Sequence, residues 1–146
     1  MYCAQVGYVK PHGALYNDMM ANEVIFRAVV EGVASLSGNP SLMILATTDN
    51  NRYQAIAAEK GVNLLFEAFA DRAYTPEGKL APRNQPGSVY HNPQQIIDQV
   101  TTLERHGYVV ATDGSKLSLN ADTVCVHGDN PESVATVKAL SEALAS

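Results

Sequence analysis

Apolar and polar positions along the chain spell out strand, loop and helix four times over. Val6–Lys10 is a short β-favouring run stopped by Pro11 and followed by a loop with His12 and Gly13. From Asn17 or Asp18 to Ser37, the residues Ile25, Val29, Val33 and Leu36 recur at helical spacing, which predicts one amphipathic helix ending at Gly38-Asn39-Pro40. Leu42–Ala46 is wholly apolar, as a strand covered on both faces would be. Thr47-Thr48-Asp49-Asn50 then offers N-caps for a helix reaching about Lys60, closed by Gly61.

The third unit starts with Val62–Phe66, continues through Glu67 to Arg72, and enters a Pro- and Gly-rich stretch from Ala73 to Asn92. Loops of that length without structure of their own are usually functional or disordered. Asn92 as N-cap, Pro93 at the first helical position and Gln95 in a capping box predict a helix with Ile96, Val100 and Leu103 as its apolar stripe, ending at His106-Gly107. Tyr108–Ala111 and Lys116–Leu119 flank Asp113-Gly114, a tight hairpin turn. Thr123–Val126 resumes as a strand, and a last helix from Pro131 carries Val134, Val137, Leu140 and Leu144. Four βα units in series with one inserted hairpin predict an α/β fold with parallel strands in a single domain, 1–146.

Composition narrows the class. With 10 Lys+Arg against 15 Asp+Glu the net charge is −5, and no basic stripe suits nucleic acid or an anionic membrane. Neither partner is expected. The 146 residues fall short of the roughly 200–250 that a closed (β/α)8 barrel needs. Two cysteines, Cys3 and Cys125, are too few for a disulfide framework, and Cys125 in its apolar run reads as a buried free thiol. A reducing cytoplasm is the expected compartment, and no apolar run is long enough to span or target a membrane.

Chemistry-bearing residues gather after the carboxyl ends of the strands, where parallel α/β folds place their sites. His12 and His127 each follow a β-run and precede a glycine that lets a ligand approach the backbone. A single such histidine would more often fasten a turn; two in parallel contexts favour chemistry. Glu67 points along the rim if strand geometry persists, where burial favours general acid or base use. Asp71 and Arg72 could form no more than an exposed ion pair. Lys10 and Arg83 suit anions, although solvated Lys and loop Arg residues are as common. Asp129-Asn130-Pro131 caps a helix whose free N–H groups, beside Gly128, make a weak anion site. No P-loop or Rossmann glycine pattern occurs, and no short histidine spacing marks a metal site.

Three stretches carry a resemblance together: Tyr8-Val9-Lys10-Pro11-His12-Gly13-Ala14-Leu15-Tyr16-Asn17, Glu67-Ala68-Phe69-Ala70-Asp71-Arg72-Ala73-Tyr74, and Val124-Cys125-Val126-His127-Gly128-Asp129-Asn130. With Gly78-Lys79-Leu80-Ala81-Pro82-Arg83, they resemble the LamB/YcsF family over essentially the whole chain. The resemblance implies a partial (β/α) barrel of the glycoside hydrolase/deacetylase type. It also implies ATP-dependent opening of 5-oxoproline to L-glutamate, with magnesium accompanying the nucleotide and two partner subunits, B and C.

Carried over by motif, Lys10, His12, Tyr16, Asn17, Glu67, Asp71, Arg72, Arg83, His127 and Asp129 would line the pocket, without individual roles; by residue type, His12, Glu67, Asp71, His127 and Asp129 are the catalytic candidates, and Lys10, Gly13, Tyr16, Asn17, Arg72, Arg83, Gly128 and Asn130 are binding candidates for substrate or ATP. Within that set, Lys10, Arg83 and the helix start at Asn130 would hold anionic groups, His12 or His127 would handle protons, and Glu67 or Asp71 would orient water. The family also carries an N-terminal segment with Asp- and His-rich motifs before the K-P-H-G strand. Nothing here corresponds to it, so the expectation is the carboxyl-terminal part of a larger barrel. The alternatives are a metal-dependent amide hydrolase resembling carbohydrate deacetylases, with a bound transition metal, and a non-enzymatic module that self-associates or binds partners through open sheet edges.

Overall fold

The computed structural model describes residues 4–128 and 131–146. Cys3, Asp129 and Asn130, and the expectations attached to them, lie outside the described residues. The chain divides into two compact units, Met1–Glu67 and Ala68–Ser146, each described by itself below. Its strands are β1 (Tyr8–Val9), β2 (Ser41–Leu45), β3 (Leu64–Phe69), β4 (Tyr108–Val110), β5 (Lys116–Ser118) and β6 (Thr123–Cys125). Four of them share a sheet in the order β1-β2-β3-β6, while β4 and β5 pair separately. This is the α/β, partial (β/α) barrel class with its inserted hairpin.

In the first unit, β1 pairs parallel with β2 at Tyr8↔Ser41, and β2 pairs parallel with β3 from Leu42↔Leu64 to Leu45↔Glu67. Leu42, Ile44 and Ala46 are fully buried, as a strand covered on both faces requires. The helix expected from Asp18 to Ser37 is two: α1 (Ala14–Ala21) and α2 (Glu23–Ala34). Asn22 breaks it by taking an extended conformation, its N–H closing α1 on the Asp18 carbonyl while its side chain accepts from the Val24 N–H to cap α2. The buried stripe is correspondingly Phe26, Val30 and Val33, and Leu36 is exposed. Asp49 caps α3 (Asn50–Ala58) by accepting from the Arg52 N–H.

In the second unit, α4 (Pro93–His106) has the expected ends. Asn92 accepts from the Gln94 N–H, and Gly107 at φ 72° closes the helix by donating to the Leu103 carbonyl. The antiparallel hairpin follows at once, with Tyr108 opposite Ser118. The stretch from 73 to 92 has structure of its own: antiparallel bridges join Tyr74 to Leu80 and Arg72 to Val89. Helix α5 (Pro131–Ala145) departs most from its pattern. Of the expected stripe only Leu140 is buried, with Ala70, Ile96 and Val100; Val134, Val137 and Leu144 face solvent, and Thr136 is buried in their place. Cys125, expected to be buried, is half-buried. Among the described residues no helix is long and apolar enough to cross a membrane.

Candidate functional site

Within the first unit, the end of β3 brings Glu67 against Lys10 and Tyr16. Glu67 is almost fully buried; its Oε1 accepts from Lys10 Nζ at 2.5 Å and its Oε2 from the Tyr16 hydroxyl at 3.0 Å. The Lys10 ammonium also lies 5.7 Å from the Tyr16 ring centroid. Pro11, buried, ends β1 and turns the chain so that Lys10 reaches inward. Gly13 stands at φ 64° just before α1, a conformation that favours glycine. His12 and Asn17 are exposed, so only Lys10, Tyr16 and Glu67 of this unit's candidates are gathered.

Within the second unit, the turn after β3 and the end of β6 build a different cluster. The Ala70 N–H donates to the Cys125 carbonyl at 2.9 Å, which sets the two chain segments side by side. Asp71 and His127 then meet across 56 residues of sequence: Asp71 Oδ2 accepts from the His127 backbone N–H at 3.0 Å and from its Nδ1–H at 2.8 Å. On the ring's other side Arg83 Nη2 lies 3.4 Å from Nε2. A carboxylate only accepts and a guanidinium only donates, so both neighbours select one tautomer: proton on Nδ1, lone pair on Nε2. Phe69 stacks on the imidazole, with centroids 6.2 Å apart and planes at 21°.

Arg72 does not pair with Asp71 at the surface. Both are buried, and Arg72 Nη2 donates to the Ala81 carbonyl at 2.7 Å, fastening the long loop. Burial, and then the like charge of Arg83, lower the Arg72 pKa from its ordinary value. Asp71 Oδ1 and Arg72 Nε are buried polar atoms without a hydrogen-bond partner in the described structure.

Asp71, Arg83 and His127 lie on the wall of a cavity of about 480 Å³ that Ser88, Tyr90 and Thr136 also line. Gln85 and His91 add further polar groups. Burial raises the Tyr90 pKa, so its phenol is neutral across the ordinary pH range. In the stretch between 73 and 92 only Arg83 is a candidate by sequence; the other lining residues become visible once its two bridges fold it back. The available signal was weak, a Ser, a Tyr and a His within Ser88–His91. Gly128, beyond β6, is exposed and has open space at its α-carbon. Among the described residues no three His, Cys, Asp or Glu side chains converge as metal ligands.

The fold and site define an α/β protein of partial (β/α) barrel class in which strand-end loops bring an Asp–His pair and a guanidinium to a polar cavity. The chain belongs to the LamB/YcsF family, which matches residues 1–146. It is 58% identical over 138 residues to the 5-oxoprolinase A subunit of Vibrio vulnificus, covering 94% of this chain and 55% of that protein. It is 53% identical over 140 residues to a 5-oxoprolinase A subunit of Pseudomonas putida, covering 96% of this chain and 54% of that one. The crystal structure of a lactam utilization protein from Thermus thermophilus matches with a TM-score of 0.79 at 33% identity, over 94% of this chain and 55% of that chain. The chain spans about half the length of the curated relatives it matches.

Proposed function

We propose that this chain serves in an ATP-dependent 5-oxoprolinase, opening 5-oxoproline to L-glutamate with partner subunits B and C in the cytoplasm. The observation that carries the reading is the oriented imidazole: His127 has its lone pair fixed on Nε2 by Asp71 on one side and Arg83 on the other, at a polar cavity. A lactam is an unreactive amide, and ATP with its magnesium would activate it by transferring the γ-phosphoryl group to the amide oxygen with ADP leaving. The chain's own task is to hold the acid, to place water and to move protons.

Arg83 presents a guanidinium suited to a carboxylate or phosphoryl group, and its engagement by such an anion uncovers Nε2. His127 Nε2 then takes a proton from the water that adds to the ring carbonyl carbon. The same imidazolium returns it to the ring nitrogen as the C–N bond breaks, which leaves the ring-opened acyl phosphate, and a second water then cleaves that to L-glutamate and phosphate. Asp71 stabilises the imidazolium while it exists. The cavity lies within the size range of small-ligand sites and exceeds a five-membered lactam. Lys10, Tyr16 and Glu67 are a second polar cluster, in which Glu67 carries the charge and Lys10 neutralises it.

The test is glutamate release from 5-oxoproline and ATP by this chain with subunits B and C, against B and C alone. Glutamate above that background, lost in His127→Ala, is expected. Absence of release above background, or full turnover in His127→Ala, would overturn the reading.

A further inference from the structure

The geometry points to Gln99 as the positioning residue for the Asp71–His127 pair. Gln99 lies on α4, outside every motif singled out in the sequence, and its side chain is the hub of the turn that carries Asp71. Its Nε2 donates to the carbonyl oxygens of Phe69 at 2.8 Å and Arg72 at 2.9 Å, with Ala70 at 3.3 Å sharing a proton. An amide nitrogen has two protons, so one hydrogen bond is necessarily bifurcated, and the longest contact is the one to Ala70. The other carbonyls of this segment have backbone partners: Asp71 accepts from the Tyr90 N–H at 2.8 Å and Ala73 from the Ala81 N–H at 2.9 Å. Three carbonyls of the four residues 69–72 therefore turn toward one side chain.

Ala70 and Arg72 are buried, so removing the amide strands their carbonyls away from water. The turn escapes that cost only by rotating peptides on either side of Asp71. Such rotation moves its carboxylate off the His127 Nδ1–H and N–H together, since one oxygen, Oδ2, accepts both. Gln99 thus sets the imidazole's tautomer from a distance, through the backbone and without touching the ring. This inference rests on the proposed function only for its consequence in turnover; the positioning itself is read without any reaction.

The experiment is nitrogen NMR of the His127 ring in the whole chain at a pH where the ring is neutral, with the signal assigned by its loss in His127→Asn. Wild type should show the Nδ1–H form. Gln99→Met, which keeps the shape and removes the donors, should lower the Nδ1–H to Nε2–H ratio about tenfold, the equivalent of one lost hydrogen bond. A wild-type ring in the Nε2–H form, or an unchanged ratio in folded Gln99→Met, overturns the assignment. Should Gln99→Met fail to fold, Gln99→Asn decides: its amide sits one methylene short of the carbonyls, so a lower ratio supports the assignment and an unchanged one overturns it. Glutamate release tests the proposed function separately, so the two fail independently.

Discussion

Removing Lys10 should cost far more than removing the charge of Glu67, although the two form one ion pair. The side chain of Glu67 is 3% exposed and that of Lys10 is 30% exposed, at an N–O distance of 2.5 Å. At that distance the direct attraction is roughly 6–7 kcal/mol for an effective dielectric of about 20, and roughly 1.7 kcal/mol for that of water. Lys10→Met leaves a buried carboxylate with the Tyr16 hydroxyl but no cation, so its cost falls toward that of breaking a buried pair, about 3 kcal/mol after allowance for the hydrated face of Lys10. Glu67→Gln leaves an ammonium that water already reaches and an amide that still accepts a hydrogen bond, for about 1 kcal/mol. In a protein of 146 residues, each kcal/mol shifts the melting temperature by about 2–4 °C, so Lys10→Met should melt about 6–12 °C lower. The double variant Lys10→Met/Glu67→Gln should be more stable than Lys10→Met alone, because the stranded charge is gone. Thermal and urea melts followed by circular dichroism measure all three. Equal costs for the two single variants, or a double variant that simply adds them, would refute the claim that burial of Glu67 governs the pair.

Two further outcomes follow from hydrogen bonds elsewhere. Tyr74→Phe removes the hydroxyl that accepts from the Phe69 N–H at 2.9 Å and leaves the fully buried ring in place, so it should cost about 1–3 kcal/mol. Phe69 amide exchange should then be about tenfold or more faster, and unchanged exchange would count against the bond. Asp113 accepts from the Ser115 hydroxyl at 2.6 Å and N–H at 3.0 Å, which holds its carboxyl below the ordinary range. A carboxyl lowered in the folded state stabilises the hairpin above its unfolded value and loses that contribution as pH falls through the folded one. Carboxyl carbon shifts should therefore place the Asp113 midpoint higher in Ser115→Ala than in wild type.

The elements most legible in the sequence are those whose ends are written in side chains. Helix α4 is bounded by Asn92-Pro93 and Gly107, and the hairpin by Asp113-Gly114 with Gly114 at φ 86°, so local chemistry specifies both. The division at Asn22 was written there too, as an Asn followed by Glu23, but the apolar period running through it suggested continuity. Helix α5 shows the opposite failure. Periodicity ranks Val134, Val137 and Leu144 as core, whereas the helix turns Thr136 and Leu140 inward, and which face is covered depends on neighbours the helix does not contain.

At the candidate site, residue types and strand-end placement were legible and partners were not. Asp71 and Arg72 are neighbours in sequence and look like a pair, yet the chain turns them to different partners, His127 and the Ala81 carbonyl. Gln99 was invisible for a related reason: a Gln in a helix is ordinary, and its significance arises only where three carbonyls converge on it.

The continuity of α4 with its hairpin has a kinetic consequence. Gly107 ends the helix, starts the turn into β4, and accepts from the Leu119 N–H at 3.0 Å, so the segment from Pro93 to Leu119 closes on itself through short chain loops. The parallel ladder is assembled differently: Tyr8 must find Ser41, and Ala70 must find Cys125, each across a long intervening stretch. Loop-closure entropy delays contacts of the second kind. Loop closure therefore favours the helix–hairpin segment forming before the strands that carry Asp71 and His127 find each other.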